Sequence, residues 1–197
     1  MAFLILNLGM QSFAPQVMGY AIGDTVQDFK LKNVDGKFLF TKDLTHAKGL
    51  VIVFTCNHCP YALKYEDRLN YLNKTYGPKG FPLLAISSSD PVNIPEDSYE
   101  GMVKWSKEHN FSFPYLFDEQ QSVAKAFGAR RTPEAFVLFK EKGKWKLKYR
   151  GAIDDNGADP EGVKSHYVED AINALLSGKS VPVAETKSVG CSIKLRS

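Results

Sequence analysis

Two cysteines two residues apart, Cys56 and Cys59, are the side chains best suited to covalent chemistry in this sequence. Asn57 and His58 stand between them, and Pro60 follows. A thiolate attacks a disulfide, and a second thiol close by releases the mixed disulfide that results. The spacing predicts a redox-active dithiol, with Cys56 as the outer, attacking cysteine and Cys59 as the resolving one. A cationic His58 would favour the thiolate and stabilise the reduced form, making the pair more oxidising. The same spacing also suits a structural disulfide or half of a zinc site. A structural zinc usually takes four protein ligands. Beyond the pair the chain offers only Cys191 and four scattered histidines, none forming a second short-spaced pair, so no metal is expected.

The flanking residues indicate how the pair is positioned. Leu50 to Thr55 is an apolar run without alternation, the pattern of a strand buried on both faces. From Ala62 onward, apolar residues at 62, 65, 69, 72 and 76 form the stripe of an amphipathic helix, stopped at Gly77-Pro78. The cysteines therefore sit at a strand-to-helix turn, where a helix N-terminus can stabilise a thiolate. Pro60 fits if the helix begins near Asn57 or His58, although a residue before proline avoids helical dihedrals.

Further along, Asp35-Gly36 turns a hairpin between two short strands, and a turn passes through Thr41 to Leu44. A second buried strand runs from Phe81 to Ile86, and Pro95-Glu96-Asp97 opens a helix to about His109. Phe111 to Phe117 reads as an extended connection, and Glu119 to Phe127 as a short helix closed by Gly128. A strand over Ala135 to Phe139 turns at Glu141-Lys142-Gly143 into one alternating Trp145, Leu147 and Tyr149, and a helix spans about Gly162 to Leu176. The order β-hairpin, β, α, β, α, α, β, β, α makes an α/β fold with a mixed central sheet flanked by helices.

With 197 residues and 44% hydrophobic content the chain suits one domain with a real core. Its 25 basic and 22 acidic residues are well mixed, which speaks against nucleic acid or a polybasic membrane surface. Residues 20–178 read as the domain, 179–197 as a tail carrying Cys191, and 1–19 as an apolar N-terminal segment, either a signal-peptide remnant or simply an apolar start. The run Phe3 to Met10 is far short of the ~20 residues that span a bilayer. No lysine or arginine precedes Lys30, which a signal peptide would require. On balance the segment favours an extracytoplasmic protein, periplasmic or secreted, over a cytoplasmic one.

Val51 to Pro60, Thr132-Pro133 before a strand, and the closing β-β-α together resemble the thioredoxin superfamily. Asn57-His58-Cys59-Pro60-Tyr61 with Tyr65-Glu66-Asp67-Arg68-Leu69 is similar to its peroxiredoxin-like (AhpC/TSA-type) group that carries a C-x-x-C. So are Arg150 to Asp155 and the tail Val189-Gly190-Cys191-Ser192-Ile193-Lys194. The resemblance implies a three-layer thioredoxin-like fold and a thiol–disulfide oxidoreductase without cofactor. Its partners would be a protein or small-molecule disulfide and a thiol electron donor. It further implies a cis Pro133, with Thr132 and Pro133 clamping a substrate's extended backbone.

The sequence also departs from the group. Peroxiredoxins place a proline seven residues and a threonine or serine three residues before the reactive cysteine. Those places hold Ile52 and Cys56 before Cys59, and Gly49 and Val53 before Cys56, which weighs against efficient peroxide reduction. Thioredoxin's buried aspartate is replaced by Leu50, leaving Glu66 or water to assist Cys59. Arg130 and Arg131 read as solvated charges. Cys191 follows Ser177 by 14 residues, a reach of ~45 Å, so a redox role toward Cys56 and a packed, inert thiol stay open. A Cu(I) chaperone is the remaining alternative, soft thiolates suiting that ion. It would need a distant histidine, and such chaperones space their cysteines three apart.

Overall fold

A computed structural model describes residues 19–92 and 94–196. The apolar N-terminal segment expected over residues 1–19 falls, apart from Gly19, outside the described residues.

In chain order the strands are β1 (Thr25–Val26), β2 (Lys30–Asn33), β3 (Phe38–Phe40), β4 (Gly49–Phe54), β5 (Leu83–Ser87), β6 (Tyr115–Phe117), β7 (Arg131–Thr132), β8 (Glu134–Glu141), β9 (Lys144–Gly151) and β10 (Cys191–Ser192). The α-helices are α1 (Pro60–Leu63), α2 (Glu66–Tyr76), α3 (Tyr99–Glu108), α4 (Ser122–Phe127) and α5 (Tyr167–Leu176). Eight strands form one mixed sheet in the order β1-β9-β8-β4-β5-β6-β2-β3, and β10 pairs with β7 beside it.

β4 is buried at every residue because it lies between β5, parallel, and β8, antiparallel. Its pleat divides the core: Val51 and Val53 face the side covered by α2 and α5, Leu50, Ile52 and Phe54 the side covered by α4. On that second side Phe54, Phe127 and Phe136 meet edge to face, with centroids 5.1–5.7 Å apart. Gly49 is required where β4 begins, since a Cβ would lie 2.2 Å from the Phe81 ring and 2.4 Å from the Leu138 oxygen. Lys142 and Gly143, with φ of 49° and 77°, make the tight β8–β9 turn, both in the left-handed region that such hairpins demand.

Several boundaries differ from expectation. The connection over 111–117 contains a strand, β6, because Pro114 stays ahead of it and only its carbonyl is used, accepting from Ala85 N at 3.0 Å. The last helix starts at Tyr167 rather than Gly162, because residues 155–165 close a loop, Asp155 N donating to Ser165 O and Lys164 N to Asp155 Oδ1. The helix after the cysteines begins at Pro60, not near Asn57 or His58. Cys59 keeps an extended backbone (φ −80°, ψ 117°), as a residue before proline must. A break at Lys64-Tyr65 then separates α1 from α2.

Candidate active site

The sheet carries the cysteine turn and the Thr-Pro loop to the same edge. Phe54 pairs with Glu134 where β4 ends and β8 begins, which brings Cys56, two residues on, and Thr132, two residues before, to that same edge. The Thr132-Pro133 peptide bond is cis. Cys56 Sγ and Thr132 Oγ1 share a hydrogen bond of 3.3 Å. Cys59 Sγ lies 3.2 Å from the Thr132 carbonyl oxygen. Cys59 is bonded to Cys191, with a Cα–Cα distance of 6.0 Å, and Cys56 is a free thiol.

This geometry corrects the sequence reading of Cys56. It is not an outer cysteine: only 3% of it is exposed, and Cys59 is fully buried. Nor does it sit on a helix N-terminus, since α1 starts four residues later. Burial pushes the Cys56 thiol up, and the negative charge of Asp97 adds to that. The Thr132 hydroxyl and the Cys59 and His58 backbone N–H groups pull it back down.

Asp97 is the residue that sequence reasoning missed. It is entirely buried and accepts Asn57 N on Oδ1 at 2.6 Å, while His58 Nδ1 lies 2.5 Å from Oδ2. Asn57 Nδ2 donates to the Glu96 carbonyl at 2.7 Å, and Tyr115 Oη donates to Asn57 Oδ1 at 2.9 Å. The loop after β5 is thereby latched onto the cysteine turn. Its sequence, Pro95-Glu96-Asp97, looks like an ordinary helix start, and no spacing marks Asp97 as a partner of residues 39 and 40 positions away. A positive charge on His58 would therefore be offset by this carboxylate rather than offered whole to the sulfur.

Cys56, His58 and Asp97 bring one donor atom each within 4.8 Å of one another, the one such cluster among the described residues. Its histidine is His58, not the distant one a copper chaperone needs, and Cys59 is spent in a disulfide. Glu66 does not serve Cys59: its two oxygens accept Trp105 Nε1 and face His109 Nδ1, both at 2.6 Å. Tyr65 Oη and Arg68 Nη1 instead converge on Asp154, at 2.9 and 2.6 Å. This joins the two internal segments quoted for the resemblance beside a cleft of about 510 Å³ that reaches Pro133 and Val189.

The tail is the second correction. The Thr132-Pro133 loop was expected to leave backbone groups free for a substrate, yet β10 pairs antiparallel with β7, Cys191 opposite Thr132 and Ser192 opposite Arg131. Ile193 N donates to Arg130 O at 2.9 Å, and Arg131 Nη1 to Gly190 O at 2.9 Å. Arg131 therefore holds the tail rather than standing solvated. Gln121, fully buried, donates to Lys194 O at 2.9 Å and accepts Arg196 N at 2.6 Å.

The chain and its architecture have counterparts among known proteins. The family model described as AhpC/TSA family matches residues 22–153. The chain is 26% identical over 156 residues to the thiol-disulfide oxidoreductase ResA of Geobacillus thermodenitrificans, covering 79% of this chain and 81% of the relative. A crystal structure of an uncharacterized conserved protein from Geobacillus kaustophilus superposes with a TM-score of 0.82 at 38% identity, covering 89% of this chain and 93% of that one. A thiol:disulfide interchange protein of the thioredoxin family from Chlorobium tepidum shares the fold, with a TM-score of 0.59 at 15% identity over 80% of this chain and 99% of its own. With the family model matched over more than half of its length, the chain belongs to the AhpC/TSA family.

Proposed function

We propose that this redox enzyme is a thiol–disulfide oxidoreductase that works through three cysteines. The observation that carries the reading is a free Cys56 thiol beside a Cys59–Cys191 disulfide, all three gathered at the Thr132-Pro133 loop. The thiolate of reduced Cys56 attacks a substrate disulfide, forming a mixed disulfide and releasing one substrate thiolate, which takes up a proton. Cys59 attacks Cys56 Sγ, releases the second substrate thiol and leaves a Cys56–Cys59 disulfide. Cys191 then attacks Cys59 Sγ, so that Cys56 leaves as a thiol again. The two electrons given to the substrate are those lost by Cys59 and Cys191, and an external dithiol must restore them.

In this reading Thr132 and Pro133 position the reacting sulfurs, and His58 tunes them through Asp97. The partners are a disulfide, on a protein or a small molecule, and a thiol donor; no cofactor takes part. A standing Cys59–Cys191 disulfide suits an oxidising, extracytoplasmic compartment. No helix among the described residues is long and apolar enough to cross a membrane. Peroxide reduction is the weaker variant, because neither Cys56 nor Cys59 has the preceding proline and threonine or serine that peroxiredoxins place before the reactive cysteine.

The test is single-turnover reduction of 5,5′-dithiobis(nitrobenzoate) by fully reduced protein. Cys56→Ser should lose the fast phase, whereas Cys191→Ser should keep one turnover and stop at a Cys56–Cys59 disulfide found by peptide mapping. A Cys56→Ser protein as fast as the parent would sink the assignment.

A further inference from the structure

Residues 190–196 lie in the groove where the Thr132 backbone would receive an extended substrate, and they do so as a substrate would. Cys191 sits opposite Thr132 with its sulfur joined to an active-site cysteine. Most of the contacts are to backbone atoms and are indifferent to sequence. Arg131 Nη1 reads the carbonyl before the cysteine, and Gln121 reads the carbonyl three residues after it and the N–H five residues after it.

Two positions are selective. At Gly190 a Cβ would lie 2.1 Å from the Thr132 carbonyl oxygen, a backbone atom that cannot swing aside. Gly190 is thus demanded by space alone, since its φ lies outside the left-handed region. Two residues after the cysteine, the Ile193 side chain packs against the core on the α4 side. Ser192 between them is exposed.

We propose that the tail is a tethered substrate, and that the groove along β7 takes extended cysteinyl peptides with glycine just before the cysteine and an aliphatic residue two places after it. This rests on the three-cysteine reading and adds to it the substrate class. Such a peptide and the tail cannot occupy the groove together. While the Cys59–Cys191 bond stands the tail cannot leave. Once an external dithiol has reduced that bond, a short strand and a few hydrogen bonds remain to be exchanged for those of the incoming peptide. The tail's cysteine packs against the cluster that Cys56 and Cys59 form, so a peptide sulfur in its place lies among the reacting thiols, and the exchange on it is that already written for Cys56.

The experiment uses the full-length chain carrying Cys191→Ser, fully reduced, so that the tail competes only by its backbone. The probe is the peptide of residues 188–196 with its cysteine capped as a mixed disulfide with thionitrobenzoate, beside the same peptide with valine in place of the glycine. Attack by Cys56 on the peptide sulfur releases coloured thionitrobenzoate. The glycine peptide should react about tenfold faster, because the valine peptide must give up at least one backbone hydrogen bond to avoid Thr132. Adding Gly190→Val to the chain blocks the tail's own seat and should speed the glycine peptide further. Equal rates for the two peptides, or no gain from Gly190→Val, would overturn the proposal while dithiobis(nitrobenzoate) still reacts. If that small disulfide fails as well, the fault lies with the Cys56 chemistry, and both readings fall.

Discussion

The residues around Thr132 join two walls of very different firmness. One is the β4–β8 pair, six residues in continuous register, with Phe54 and Phe136 packed on its α4 side. The other is β10, two residues long, with Ser192 exposed and Cys191 half-buried. The first wall fixes Cys56 against Thr132 through backbone geometry and core packing. The second is held by its short pairing with β7, side-chain reach from Arg131 and Gln121, a backbone bond from Ile193, and a disulfide. Thiol exchange needs sulfurs held in line, and a protein substrate needs an open edge. Both requirements are met by building the reacting side from sheet and the covering side from a tether.

The firm wall is the place for the largest effect. Phe136 is 1% exposed and meets both Phe54 and Phe127, so Phe136→Ala should cost about 3–5 kcal/mol in guanidinium unfolding. A loss near that of a surface truncation would mean that this wall is no firmer than the tail. The tether comes next. Cys59 and Cys191 are 132 residues apart in sequence, and opening so long a loop should lower stability by about 2–4 kcal/mol. The unfolding midpoints of oxidised and reduced protein measure it directly. If reduction left the midpoint unmoved, the tail would be anchored as well as the sheet, and the contrast would vanish.

How much of this was legible in the sequence follows the same division. The buried run of β4, the stripe of α2 and the hairpin turn at Lys142-Gly143 are local patterns, and each appears where its pattern placed it. The meeting of Cys56 with Thr132 followed from the resemblance, and the sheet register supplies its physical basis. Asp97 and Gln121 were not legible, because their side-chain partners are 33 or more residues away and neither lies in a periodic element that would aim it. Cys191 was visible as a third thiol within reach. Its choice of Cys59 over Cys56 depends on the pairing of β10 with β7, which two residues of strand cannot announce.

A smaller effect separates the walls without touching the disulfide. Ile193 is only partly buried, so Ile193→Ala should cost about 1 kcal/mol, well below the Phe136 variant. In the reduced protein the Ile193 amide, bonded to Arg130 O, should exchange with solvent by local opening, while the β4 amides exchange only with global unfolding. Equal protection of the two would erase the distinction.

The subtlest test asks what the firm wall does to its own sulfur. Burial first, and the Asp97 charge in addition, push the Cys56 thiol above its ordinary range, against the pull of Thr132 and of the two N–H groups. Only the thiolate reacts, so alkylation of Cys56 in oxidised protein should rise on the alkaline side of the ordinary thiol value of ~8.5. The linkage has the matching sign. A thiol whose value is raised by folding lends stability that is intact below ~8.5 and lost as pH climbs through the folded value. Asp97→Asn removes the charge but can still accept the Asn57 N–H, so the alkylation profile should move toward lower pH and the rate below its inflection should rise roughly a few-fold. Mass spectrometry of alkylated protein across a pH series reads both wild type and variant. An unmoved profile would mean that the Asp97 charge is not felt at the sulfur, leaving burial and the neighbouring donors to set the thiol.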